Sequence, residues 1–163
     1  MLKVPHIRQL RDWSCGPACV SMVLRYHGIT ESEVSLIEAL GSTESDGTSP
    51  NAIADYFDSA GYDVHYASSL RSLRRMTEIG CPVIVAYQDW AHKPSRTDYA
   101  TSWDNGHYAV VVAADSDSVT LCDPSSRRHR RRIPSADFVK RWRDITNEGR
   151  IYRQWGCAVG PKR

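Results

Sequence analysis

The chain has 163 residues, of which 41% are hydrophobic and 25% charged, a composition typical of a globular domain. This excludes a fibrous, collagen-like or disordered protein and predicts a single domain over residues 1–163. The net charge of +2 hides an asymmetry, because residues 127–163 have a net charge of +9 and residues 1–126 of −7. No apolar run reaches the roughly 18 residues of a membrane helix, and the N-terminus lacks a signal-peptide core, so we expect a cytoplasmic protein without a membrane partner.

Four helices are predicted in the first half of the chain. Apolar residues recur at helical spacing from Gly16 to Tyr26, and Gly28 supplies a C-terminal stop. Pro17 suits the first turn of this helix, where its missing N–H group is not needed. Capping and stop signals predict the other three helices, from Thr30 to about Leu40, from Ser49 to Gly61 and from Ser68 to Ile79.

The second half of the chain has the pattern of a β-sheet. Apolar and β-branched runs predict strands over 82–87, 107–114 and 118–123, a further strand over 128–133, a short helix from Ser135 to Arg143 and a closing strand from Ile151 to Val159. The turn residues 115–117 join two of these strands as an antiparallel hairpin. The fold class is therefore α+β, with N-terminal helices packed on a C-terminal antiparallel sheet.

One of the five cysteines has the sequence context of a nucleophile. Cys15 lies among turn-forming residues at the start of the first predicted helix, where free N–H groups and the helix dipole favour a thiolate. The other four have the apolar context of buried residues: Cys19, Cys81, Cys122 and Cys157. Their spacing fits neither a disulfide framework nor a zinc finger, so we predict no metal site and no cofactor.

A nucleophilic thiol needs a base, and the base needs a group that orients it. His107 opens one strand of the predicted hairpin and Asp123 ends the other, each eight residues from Asp115 in the turn. This spacing predicts that the two are cross-strand neighbours and form the base and orienting members of a triad. His6 and His92 are the alternative bases.

Two further features predict how a substrate is held. Gln9 lies six residues before Cys15, and its amide is a candidate hydrogen-bond donor to an oxyanion, together with the backbone N–H of Cys15. The polar loop from Gln88 to Gly106 leads directly into His107 and is long for a compact domain. Its aromatic residues Trp90 and Trp103 are the candidate substrate-binding residues.

Four sequence strings together resemble the C39-like branch of the papain-like cysteine peptidases, which includes peptidases that cleave double-glycine leaders from bacteriocin precursors. The strings are VPHIRQ at 4–9, CGPA at 15–18, GHYAVVV at 106–112 and Asp123-Pro124. The resemblance covers nearly the whole chain and is closest to standalone bacterial members. It implies a papain-like fold, with Gln9 in the oxyanion hole, Cys15 as nucleophile, His107 as base and Asp123 as orienting residue. Ser14 departs from the pattern, because an acidic residue is frequent there.

These observations predict a cysteine peptidase that hydrolyses a peptide or isopeptide bond of a peptide or protein substrate through a thioester on Cys15. Other acyl transfer on the same triad, by a peptide ligase or amidase, is one alternative, and a non-catalytic peptide-binding module is another. A nucleotide enzyme is the third, because residues 9–18 also resemble the guanylyl-cyclase-domain-containing family. The basic run Arg127 to Arg132 indicates a solvated strand more than a nucleic-acid site, since no aromatic residues interleave with the arginines.

Overall fold

The structure is a computed structural model that describes residues 1–89 and 96–163. Its helices are α1 (Cys15–Tyr26), α2 (Glu33–Ala39), α3 (Pro50–Ser59), α4 (Leu70–Glu78) and α5 (Ser135–Arg141). Its strands are β1 (Tyr62–Tyr66), β2 (Val83–Gln88), β3 (Gly106–Ala114), β4 (Ser118–Cys122), β5 (Arg131–Pro134), β6 (Arg143–Ile145), β7 (Ile151–Arg153) and β8 (Gly156–Lys162). None of the helices described here has the length and apolar character needed to cross a bilayer.

Six of the strands form one antiparallel sheet in the order β1-β8-β2-β3-β4-β5, and β6 and β7 form a separate hairpin. Successive side chains along a strand point to opposite faces of the sheet. On one face Ile84 and Val110 pack against α1, α2 and α3. On the other face Val85 and Val111 pack against α4 and α5. The sheet is thus covered on both faces, which explains the uninterrupted apolar runs of β2 and β3 in the sequence.

The predicted α+β class is confirmed, but the order of elements needs one correction. No strand is predicted between the third and fourth helices, and the structure has β1 there. This strand pairs with β8 at an edge of the main sheet, so its burial changes gradually from buried at Tyr62 to exposed at Tyr66. A five-residue strand with a partly exposed edge has a weak sequence pattern, and the strand that pairs with it comes from the other end of the chain.

Several element boundaries also differ from the prediction, among them the strand predicted over 128–133, which the structure has as β5. Helix α2 is capped by Ser32 and not by Thr30, because the Ser32 hydroxyl accepts a hydrogen bond from Ser35 N at 3.1 Å. Arg143 belongs to β6 and not to the last helix. The single closing strand over 151–159 is wrong, since a break at Gln154, with a φ of 50°, separates β7 from β8 and sends them to different sheets.

Candidate active site

Cys15 is the first residue of α1 and lies at its N-terminal end. The helical ladder begins with the hydrogen bond from Ala18 N to Ser14 O at 3.1 Å, so the N–H groups of Cys15 and Gly16 lie outside it. Cys15 is half-buried, whereas the other four cysteines are buried, and all five thiols are free. The predicted position of this cysteine at a helix start is confirmed, and it is the cysteine that faces the cleft described below.

The loop before Cys15 is held by a buried acidic side chain that the sequence analysis missed. Ser14 is fully buried, and its hydroxyl donates to Glu33 Oε1 at 2.5 Å, while Leu10 N donates to the same oxygen at 2.8 Å. Arg11 N donates in turn to the Ser14 hydroxyl at 3.0 Å. The Ser14 hydroxyl therefore binds the carboxylate of Glu33 at the start of α2. This contact was not predictable from spacing, because 19 residues separate the two side chains.

The glycine that follows Cys15 allows a close contact with a second loop. A Cβ atom on Gly16 would lie 2.5 Å from Oγ1 and 2.7 Å from Cβ of Thr48. Thr48 is itself fixed, because its backbone oxygen accepts a hydrogen bond from the Tyr108 hydroxyl at 2.8 Å. The loop that precedes α3 thus packs directly against the start of α1 beside Cys15.

His107 and Asp123 form a buried pair next to Cys15. His107 Nε2 donates to Asp123 Oδ1 at 2.8 Å, and both side chains are only 1% exposed. Asp123 Oδ1 also accepts hydrogen bonds from the N–H and the hydroxyl of Ser125, at 2.9 and 2.8 Å. Cys15 lines the same cleft as His107 and lies close enough to raise the pKa of its ring. Since Asp123 occupies Nε2, the other ring nitrogen, Nδ1, is the one left for the thiol.

The predicted contact of His107 with Asp123 is confirmed, but the predicted register is wrong. The hairpin turn is centred on Ser116 and Asp117, and Val110 pairs with Cys122. Asp123 therefore continues opposite Ala109, and His107 lies two residues further along β3. A bulge between Val111 and Ala113 also shifts the ladder by one residue. The two side chains meet as diagonal neighbours on one face, which the long imidazole can span.

Charge and burial act against each other in this pair. Burial alone lowers the pKa of His107, but the hydrogen bonds with Asp123 and Cys15 outweigh it and raise the pKa to about 10. Burial alone raises the pKa of Asp123, but the hydrogen bond from His107 and the charge of its ring hold the pKa of this carboxyl well below its usual range. The pair is thus built to carry an imidazolium beside a carboxylate.

Gln9 lies next to the loop of Cys15, and its side chain is engaged within that loop. Its Nε2 donates to the backbone oxygens of Arg11, at 2.8 Å, and Asp12, at 3.1 Å. Oε1 is buried and has no hydrogen-bond partner among the residues that the structure describes. The Gln9 backbone N–H donates to Pro124 O at 3.0 Å and so connects this loop to the segment after Asp123. Both amide N–H groups therefore have acceptors in the loop.

A cleft of about 1100 Å³ opens over Cys15 and His107. Trp103 lines it, whereas Trp90 lies outside the described residues. The guanidinium groups of Arg143 and Arg153 lie 4.7 and 5.1 Å from the Trp103 ring centroid, so two cations from β6 and β7 hold this ring at the cleft.

Of the two alternative bases, His6 lies within the described residues and His92 does not. The ring of His6 donates from Nε2 to the backbone oxygen of Asp123 at 2.9 Å and stacks on His129, with centroids 5.2 Å apart. Its ring therefore already has partners, and His6 is not among the residues that line the cleft. His92 lies outside the described residues.

The basic run contributes a residue to the cleft that the sequence analysis did not single out. Arg131 lines the cleft and forms a two-point ion pair with Asp89, in which Nη2 donates to Oδ1 at 2.9 Å and Nη1 to Oδ2. Its Nη1 also lies 3.5 Å from Asp123 Oδ2. The neighbouring Arg130 and Arg132 donate to a backbone oxygen and a serine hydroxyl. Three arginines of this run thus bond within the protein. The solvated-strand interpretation holds for Arg132, which is exposed on β5, and needs correction for Arg131, which is half-buried and lies beside two buried carboxylates.

The chain is similar to known proteins over nearly its whole length. The model of the Peptidase_C39 like family matches residues 1–150. The Lactococcin-G-processing and transport ATP-binding protein LagD of Lactococcus lactis is 29% identical over 139 residues, which are 85% of this chain and 18% of that protein. This chain therefore corresponds to less than a fifth of that relative's length.

Two solved structures share the fold. The peptidase domain of Streptococcus ComA, a bi-functional ABC transporter involved in quorum sensing, superposes with a TM-score of 0.71 at 18% identity and covers 98% of this chain and 99% of that one. A double glycine motif protease from an AMS/PCAT transporter, in complex with its leader peptide, gives a TM-score of 0.67 at 17% identity and covers 99% of this chain and 94% of that one.

Proposed function

The chain belongs to the Peptidase_C39 like family, and on this premise we propose that it hydrolyses a peptide bond by way of a thioester on Cys15. The predicted cysteine peptidase is confirmed at the level of the family. The observation that carries the reaction is the half-buried Cys15 thiol at a helix start, which shares the cleft with a His107 ring that Asp123 holds through Nε2. The three groups have the order of nucleophile, base and orienting residue.

In the proposed reaction His107 Nδ1 takes the proton of the Cys15 thiol, and the thiolate attacks the carbonyl carbon of the scissile bond. The imidazolium then gives its proton to the leaving amine as the carbon–nitrogen bond breaks and the thioester remains. Water, deprotonated by the same ring, hydrolyses the thioester and restores the thiol. Asp123 holds the ring tautomer and stabilises the imidazolium throughout.

We also propose the donors for the oxyanion. The N–H of Cys15 lies outside the ladder of α1 and is available for a negative oxygen. Gln9 is the second donor, and this role requires one of its amide N–H groups to leave the backbone oxygen of Arg11 or Asp12 when substrate binds. We expect Gln9→Ala to lower kcat by about 10²-fold. Gln9→Glu, which lacks the amide donor but has the same length, should lower it similarly.

The substrate class is a peptide or a protein segment. The cleft is large enough for several residues, and one relative of the same fold is known in complex with a leader peptide. Hydrolysis is proposed over ligation because it needs no second organic substrate, and cleavage of internal bonds in library peptides separates a peptidase from an amidase. The binding-module and nucleotide-enzyme alternatives stay predictions, and incubation with GTP and Mg²⁺ tests the latter.

The proposal is tested by labelling and by peptide-library cleavage with three proteins. Wild type should cleave members of the library and should be alkylated by iodoacetamide at Cys15, as located by mass spectrometry. Cys15→Ala should lose both cleavage and label and keep its melting temperature. Cys81→Ala, the control at another cysteine, should cleave like wild type. Cleavage by Cys15→Ala at the wild-type rate, or a label on another cysteine, would overturn the mechanism.

A further inference from the structure

Six charged groups alternate in sign from the active site to the outer surface of α5. They are His107, Asp123, Arg131, Asp89, Arg141 and Asp137, and the contacts that join them are 2.8, 3.5, 2.9, 2.8 and 2.7 Å long in that order. Residues from β3, β5 and α5 and from the ends of β2 and β4 thus meet in one chain of ion pairs. The established family membership and the proposed triad account for the first two groups only.

Of these six charged groups, Arg131 is the one outside the proposed triad that contacts a triad residue, Asp123. The side chain of Asp123 is 1% exposed and that of Asp89 is 4% exposed, whereas Arg131 is 35% exposed at the cleft. Each of these carboxylates is therefore poorly screened by water, and a cation beside it has a strong effect. The guanidinium is shared between them, because it is bound to Asp89 at two points and to Asp123 at one.

The contact between Arg131 and Asp123 is not needed to keep the carboxylate in place. Asp123 Oδ1 is already held by His107 and by two hydrogen bonds from Ser125. Arg131 approaches the other oxygen, Oδ2, at the longer distance of 3.5 Å. Its distinct contribution is therefore its positive charge, which attracts the same Asp123 carboxylate that stabilises the imidazolium of His107.

We propose that Arg131 is a positioning residue that acts through Asp123 and limits the basicity of His107. This inference rests on the proposed function, in which His107 must both take a proton and release it to the leaving amine. A general acid that holds its proton too strongly transfers it slowly. A cation beside the Asp123 carboxylate weakens its stabilisation of the imidazolium and so lowers the proton affinity of His107. Asp89 also binds the Arg131 guanidinium and thereby limits how strongly Arg131 interacts with Asp123.

Other titratable groups also face His107, and the experiment keeps them unchanged. The Cys15 thiol approaches from α1, the Tyr87 ring lies 5.9 Å away on β2, and Asp144 of β6 acts on His107 by its charge. None of these is a hydrogen-bond partner of Arg131 among the described residues. The Tyr87 hydroxyl donates to Asp89 Oδ2 at 3.1 Å, so a change at Arg131 reaches His107 through Asp123, through the charge of Asp89 and through Tyr87.

Substitutions at the two partners of the Arg131–Asp89 ion pair should shift the pKa of His107 in opposite directions. Arg131→Gln removes the competing cation, and the pKa of His107 should rise by roughly half to one unit. Asp89→Asn releases Arg131 towards Asp123 and removes a negative charge, so the pKa of His107 should fall by a similar amount. Arg132→Gln, at the adjacent position of β5, should leave it unchanged, because Arg132 bonds to Ser118 instead.

The measurement is an NMR titration of histidine-labelled protein, in which the signal of His107 is assigned by its absence from His107→Ala. Arg131→Lys, which keeps the charge, should stay closer to wild type than Arg131→Gln. An unchanged or lowered pKa in Arg131→Gln, or an unchanged or raised one in Asp89→Asn, overturns the inference. The titration does not depend on cleavage, so an inactive wild type would refute the proposed function separately. If Arg131→Gln fails to fold, Asp89→Asn still decides the sign.

Discussion

The two walls of the cleft are built by different means. The sheet wall carries His107, and Asp123 follows the strand paired with it, both nearly free of solvent and linked to a chain of ion pairs. The helix wall carries Cys15 on the first turn of α1, and the loop before it is held by neutral hydrogen bonds and by the single carboxylate of Glu33. One wall is fixed by charge in a buried environment, and the other by close packing and a local network.

This difference assigns different duties to the walls. The sheet wall sets the proton affinity of the base, because its charges act over several ångströms in a poorly hydrated region. The helix wall sets where the thiol sits, because short contacts around Gly16 and Ser14 leave it little freedom. Substitutions in the sheet wall should therefore change pH dependence and turnover, whereas substitutions in the helix wall should lower stability and activity together.

The largest effect is expected from the sheet wall. Asp123→Asn removes the charge that stabilises the His107 imidazolium and allows the wrong ring tautomer. We expect kcat to fall by about 10²- to 10⁴-fold, with KM nearly unchanged, in assays with a peptide selected from the library. Asp117→Asn, in the exposed hairpin turn, is the control and should behave like wild type. Equal losses in both variants would mean that Asp123 has no specific role.

The next effect should appear in the helix wall. Gly16→Ala places a Cβ atom within 2.5 Å of Thr48 Oγ1 and 2.7 Å of its Cβ, so one of the two elements must move. We expect a loss of about 1–3 kcal/mol in the free energy of unfolding, together with lower activity, because Cys15 is the adjacent residue. Denaturant melts of Gly16→Ala, Thr48→Gly and the double variant measure this coupling. Additive losses would contradict the close contact, since the double variant should recover part of the stability.

Much of both walls could be predicted from sequence, because the relevant signals are local. The turn residues around Cys15 and the helical period after it indicate a cysteine at a helix start. The apolar runs on either side of the hairpin turn bring His107 and Asp123 close together, and an error of register did not separate them, because diagonal neighbours remain within reach of long side chains. Local spacing was sufficient where two segments meet across one short turn.

The parts that were missed depend on contacts between distant segments. Glu33 meets Ser14 from another helix, and Arg131 meets Asp89 across 42 residues of sequence. Strand β1 needs β8, almost a hundred residues later, to complete the sheet edge. No periodicity or spacing within one segment reports such pairings. A run of arginines in particular shows only its net charge, and the buried carboxylates that bind it become visible only in the fold.

A smaller loss is expected when the hydrogen-bond network of the helix wall is cut. Ser14→Ala removes the hydroxyl that donates to Glu33 and accepts from Arg11 N, and leaves both groups poorly paired in a buried loop. We expect a loss of about 1–2 kcal/mol in the free energy of unfolding, with activity reduced in parallel. Ser45→Ala, at an exposed loop position, is the matched control for denaturant melts. A full loss of activity without any loss of stability would assign Ser14 to the chemistry instead.

The smallest effect should be a gain in stability at the boundary of the sheet wall, where Asp144 of β6 packs against Gly106. Burial raises the pKa of Asp144 to about 6, although the Ile145 N–H, the Gln88 amide and the charge of His107 act in the opposite direction. The pKa of this carboxyl is higher in the folded state than its unfolded value near 4. The free energy of unfolding of the protein therefore falls as the pH rises from about 4 to 6. At neutral pH the folded protein therefore carries an unfavourable ionised group.

Asp144→Asn should remove this cost and keep an oxygen that accepts from Gln88 Nε2. We expect a gain of about 1 kcal/mol at pH 7, a moderate value because the side chain is only half-buried, and a smaller gain at about pH 4. Denaturant melts at both pH values, with the exposed cleft residue Asp104→Asn as control, measure the difference. A loss of stability at neutral pH in Asp144→Asn would mean that hydrogen bonds and the charge of His107 stabilise the ionised carboxylate more than burial destabilises it. The charged groups that fix the sheet wall would then include Asp144 of β6.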